Sequence, residues 1–169
     1  TLVSFIIHSN KKYLTRFCSG GSKMDIAIKL SLLSSGVFLL FGMISGVIKY
    51  RFTMTSQDSH APVYIDIAHR ASFLYSFAAL VIAKLLEFSP YTEVVKLLIS
   101  VIPLTFFALT IMGYLITGLK NRTNNMFIEK NFITTWSMYF LIVGEIGGMI
   151  LIIWGFIFTQ FLKKAVLLM

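Results

Sequence analysis

Residues 30–48 read LSLLSSGVFLLFGMISGVI, an apolar run with no charged side chain. It is about 19 residues long, close to the roughly 20 that a helix needs to cross a hydrocarbon core of about 30 Å. A helix pairs its own backbone N–H and C=O groups, which is the condition for entering lipid. Lys29 stands before the run and Lys49 and Arg51 close it, so cations mark both ends at the level of the headgroups.

Three more apolar stretches follow, at about residues 67–88, 95–119 and 132–162. Of the 169 residues, 57% are hydrophobic and 13% charged, against about 25% charged in an ordinary soluble domain. A soluble chain of this size leaves too much surface exposed to hide that apolar content. The expected fold class is therefore all-α: an integral membrane four-helix bundle spanning residues 24–169. Short connections make it up-down-up-down. Ser89-Pro90 ends the second span, because proline disfavours helix at the residue before it. Lys84 and Glu87 are spaced i,i+3 and can pair on one face. Pro103 lies inside the third span and calls for a neighbour that compensates the lost N–H. The fourth stretch exceeds the hydrocarbon thickness and must tilt or protrude. The polar segment 52–67, with Gln57, Asp58, His60, Pro62 and Asp66, reads as a surface or re-entrant loop.

Net charge is +8, but the basic residues cluster at the ends of the apolar runs. That distribution anchors helices in a lipid bilayer and excludes nucleic acid as the partner. Residues 1–23 differ from the rest, and Met24 opens the first clean run, so 1–23 read as an N-terminal tail or a non-native extension. Lysine and arginine counts favour both termini on the cytoplasmic side, and the expected location is a bacterial cytoplasmic membrane. Cys18 stands alone, which rules out an intrachain disulfide.

Gly42 and Gly46 on the first span, and Gly144 and Gly148 on the fourth, are spaced for close helix contact, within one chain or between chains of a homo-oligomer. Polar groups inside lipid are candidate sites by default. Glu145 falls near the middle of the fourth span: it is either a proton carrier or cation partner, or a protonated acid bonded to a neighbouring helix. His69 opens the second span, with Ser72, Phe73 and Ser76 on or near its face and Tyr75 displaced by about 120°. A histidine there is either structural or a haem ligand. Arg70 reads as an interfacial residue that snorkels. Tyr114 on the third span is either a hydrogen-bond donor to a reacting oxygen or part of the interfacial aromatic belt. His60 and His69 lack the acidic or thiol cluster that a nonhaem metal would need. Asn121-Arg122-Thr123 matches the glycosylation sequon but stands too near the membrane to be used.

The four short-looped spans, the polar first loop, Ala68-His69 opening the second span, Tyr114 on the third and Asn121-Arg122 beyond it resemble the styrene oxide isomerase and hydroxylaminobenzene mutase-like membrane proteins. That resemblance implies haem b held by His69 as metal ligand, with the iron acting as a Lewis acid that isomerises an aryl epoxide to an aldehyde. It also implies a trimer. Tyr114 would orient the substrate oxygen, and Tyr75 occupies the position where those proteins carry asparagine. The departure at Tyr75 would change whatever hydrogen bond that amide makes. Glu145 has no counterpart in the resemblance. Two further readings stand beside the isomerase: a non-enzymatic accessory or scaffold subunit, and a small proton-coupled carrier using Glu145.

Overall fold

A computed structural model describes residues 24–120 and 132–162. The expectations for residues 1–23, the 121–123 sequon and the C-terminal lysines fall outside them. The described chain is all-helical: α1 (Ile26–Thr55), α2 (Val63–Glu87), α3 (Glu93–Lys120) and α4 (Phe132–Ile157), the last continuing into a π-helical turn, Phe158–Leu162. All four helices are long and apolar enough to cross a membrane.

The helices are longer than their apolar cores. The 30 residues of α1 extend about 45 Å at 1.5 Å per residue, so Lys49 and Arg51 sit within the helix and not beyond it. The expected loop over 52–67 is correspondingly short: residues 52–55 complete α1, and α2 begins at Val63. Proline explains that start. Pro62 caps α2, a place where its missing N–H removes nothing, since the first N–H groups of a helix have no internal partner. Asp66 lies in the first turn, where a carboxylate is favoured by the helix dipole.

Contacts fix the alternating order. Lys49 near the end of α1 pairs with Asp66 near the start of α2 at 2.6 Å. Gly118 near the end of α3 lies against Ile65 near the start of α2. At the opposite face of the bundle, Lys96 on the first turn of α3 pairs with Asp25, the N-cap of α1, at 2.7 Å. The Tyr91 hydroxyl donates to the Leu151 carbonyl late in α4 at 3.1 Å.

Small side chains make these approaches feasible. The buried set includes Ala27, Ser31, Ala68, Ser72, Ala79, Ala83 and Ser100 alongside Ile65, Ile82, Leu86 and Ile152. The outside is apolar instead: Leu74 is 68% exposed and Val143 is 70% exposed. That is the arrangement of a bundle solvated by lipid, where close packing rather than water exclusion holds helices together. Both expected glycine pairs work within one chain. A Cβ at Gly42 would stand 3.1 Å from the Phe73 ring, and one at Gly46 would stand 2.8 Å from His69 Cε1. Gly144 abuts Phe106. A Cβ at Gly148 would lie 3.2 Å from the Ile99 carbonyl oxygen, the one Pro103 cannot serve for want of an N–H. Gly148 thus lets α4 pack closely against the turn of α3 that the proline opens.

Candidate functional site

Helix α2 has two polar faces. The first faces α1. His69 Nδ1 donates to the Gly42 carbonyl at 2.8 Å. A carbonyl only accepts, so the proton is on Nδ1, and in the neutral ring Nε2 carries the lone pair. The imidazole stands edge-on to Phe73, with centroids 5.1 Å apart, and rests on Gly46. Two turns further, Ser76 Oγ donates to the Ser35 carbonyl at 2.9 Å. Arg70 is 67% exposed and bonds Asp66 at 2.6 Å, so Lys49, Asp66 and Arg70 form one network at the end of the bundle. Arg70 is therefore an ion-pair partner as well as an interfacial cation. His60 is exposed and its Nδ1 bonds the Asp58 carbonyl. Among the described residues no group of three or more histidine, cysteine and acidic side chains converges on a metal position.

The second face lies opposite. Tyr75, at the centre of α2, stacks on Phe107 of α3 with centroids 4.3 Å apart and planes 11° from parallel. Its phenol is within electrostatic reach of Glu145 and Tyr114, and Thr110 approaches it without closing a well-formed hydrogen bond. Tyr114 is stacked on Tyr64, with centroids 6.0 Å apart. Three helices therefore contribute to one polar cluster: Tyr75 from α2, Thr110 and Tyr114 from α3, Glu145 from α4.

Two oxygens of this cluster are conspicuous. Thr110 Oγ1 and Glu145 Oε1 are buried, and neither forms a hydrogen bond with a described residue. Several other hydroxyls reach a carbonyl of their own helix, Ser31 to Ala27, Ser72 to Ala68, Thr53 to Lys49 and Thr159 to Gly155, and Ser76 reaches one on α1. Thr110 does not. An unpaired buried oxygen costs about 1–3 kcal/mol; Glu145 Oε1 is the clearer case, since the Thr110 hydroxyl stands close to the Tyr75 phenol. Sequence reasoning identified Tyr75, Tyr114 and Glu145 but not Thr110 or Phe107. The available signal was spacing: 107, 110 and 114 recur at i, i+3 and i+7, one face of a helix.

The haem implied by the sequence resemblance asks His69, Tyr75 and Tyr114 to surround one group. Within one chain His69 bonds the Gly42 carbonyl of α1, whereas Tyr75 stacks on Phe107 of α3 and Tyr114 on Tyr64 of α2.

A third charged feature lies at the α1–α3 end. Lys96 is 8% exposed and its ammonium donates to Asp25 Oδ2 at 2.7 Å. The hydrogen bond from Lys96, with its charge, holds the Asp25 carboxyl below its ordinary value of 3.8 against the opposing effect of burial. The expected Lys84–Glu87 pair is present at 2.7 Å on the exposed surface.

At a significant level of similarity, no protein family, no curated protein and no solved structure matches this chain.

Proposed function

We propose that the protein is a small proton-coupled carrier of the membrane, with Glu145 as its proton-binding group. The observation that carries this reading is the buried, unpartnered Glu145 Oε1 within electrostatic reach of Tyr75, the middle residue of α2. A carboxyl in lipid is tolerable when neutral and expensive when charged. It therefore binds a proton until something else neutralises it. The Tyr75 phenol, within electrostatic reach of Glu145, can donate a hydrogen bond to the carboxylate once the proton has left. Gly144, Gly147 and Gly148 flank Glu145 and keep bulk away from it along its own helix.

The test is the infrared carbonyl band of the protonated carboxyl in detergent-purified protein. A band that disappears reversibly as pH rises in the wild type, and is missing in Glu145→Gln, is the expected result. A Glu145→Gln spectrum identical to wild type at every pH would end the proposal. An accessory or scaffold subunit needs no exchangeable proton at this position, so the same spectrum separates the two readings.

The bonding of His69 favours a second reading. Its Nδ1–H is fixed by a backbone carbonyl, the arrangement that orients a metal-ligating histidine and leaves its other nitrogen for the metal. On this reading His69 alone would hold haem b, which brings an iron centre able to polarise an oxygen, and the isomerase site would be incomplete within one chain. A Soret band on haem addition that is lost in His69→Ala is expected if His69 is a ligand. No band in the wild type would eliminate the haem and the isomerase together.

A further inference from the structure

Resting on the carrier reading, we infer that the solute exchanged for the Glu145 proton is a lipophilic organic cation. Charge decides the sign. Glu145 is the acid of the cluster, and the cations of the bundle that form ion pairs are engaged near the helix ends: Lys49 and Arg70 with Asp66, Lys84 with Glu87, Lys96 with Asp25. An anion would meet an unbalanced carboxylate in a low-dielectric interior, whereas a cation restores the neutrality that the departing proton removes.

The walls decide the kind of cation. Tyr75, whose phenol is within electrostatic reach of Glu145, lies in a stacked pair with Phe107, so one aromatic pair stands on the α2–α3 side of the carboxyl. Ring faces attract soft cations such as quaternary ammonium groups. A small hard cation instead asks for about six or more oxygens in place of its water, and the cluster offers those of Glu145, Thr110, Tyr75 and Tyr114. In the exchange the Glu145 O–H bond breaks, the proton leaves to solvent, and the cation takes its place as the carboxylate's counter-charge.

The probe is benzyltrimethylammonium, which has no exchangeable proton, so any proton released comes from the protein. It is added to weakly buffered, detergent-purified protein containing a pH indicator. About one proton per chain is expected from the wild type and none from Glu145→Gln, while sodium chloride at the same concentration releases none. Tyr75→Leu, checked for monodispersity, weakens binding roughly three- to thirty-fold, the range of a cation–ring contact. Equal release by sodium, or no release by the probe while the Glu145 infrared band still titrates, would overturn the organic-cation inference and leave the carrier standing. If the band itself does not titrate, both fall.

Discussion

At the scale of single residues, the bundle is governed by where a side chain is missing. Gly46 gives its space to the His69 imidazole, which the Gly42 carbonyl pins in place. Alanine at position 46 would bring a Cβ to 2.8 Å from a ring carbon, and the ring cannot retreat without breaking its hydrogen bond. Overpacking of this kind costs about 1–3 kcal/mol, more than the roughly 1 kcal/mol of helix propensity that alanine contributes over glycine. Gly36 is the control, since nothing lies within 4 Å of its absent Cβ. Thermal unfolding in detergent is expected to show Gly46→Ala melting below the wild type and Gly36→Ala at or above it. If Gly46→Ala melts with Gly36→Ala, the His69 seat is not rigid. Gly118 follows the same logic more severely, because its obstacle is the Ile65 backbone nitrogen at 2.6 Å, and a backbone cannot rotate aside.

At the scale of helices, the sequence was legible in its interiors and illegible at its ends and faces. The run 30–48 announced a span because no charge interrupts it. It did not announce that α1 continues through Lys49 and Arg51 to Thr55, since a charged residue stays helical when it can reach headgroups or a partner such as Asp66. Asp66 looked like loop for the same reason, and its two cations became visible only once α1 and α2 were packed together. Faces were harder still. In a soluble helix, polar positions reveal the outward side, but here lipid and core are equally apolar, so Leu74 and Ile82 are indistinguishable on paper while one is 68% exposed and the other fully buried. Polar residues alone broke that symmetry. His69 and Tyr75, six apart, stand about 120° apart around α2, and in the bundle the first meets α1 and the second α3. Thr110 stayed hidden because threonine in a helix ordinarily bonds its own backbone, and only the packed bundle reveals an oxygen that does not.

At the scale of the whole molecule, an ion pair ties together the outer ends of α1 and α3, two helices that are not consecutive in the chain. Asp25 is an N-cap that makes no side-chain bond to its own helix; its carboxylate is committed to Lys96 across the bundle. The folded-state carboxyl is held below its ordinary value of 3.8 by that hydrogen bond and charge, so the folded state binds a proton there less readily than the unfolded chain. The pair's contribution is fully present above the ordinary value and is lost as pH falls through the lowered one. Asp25→Asn should therefore melt below the wild type by a constant margin from neutral pH down to about pH 4, and the margin should shrink in stronger acid as the wild type loses the same charge. Taking the difference between two proteins removes the titrations of Asp66 and Glu87, which they share. Lys96→Met should reproduce the neutral-pH defect, because it leaves Asp25 partly buried without its cation, and that is costly for a charge removed from water. A margin that stays constant into strong acid would mean that Asp25 serves only as a polar cap, and that the two helices are held at this end by packing alone.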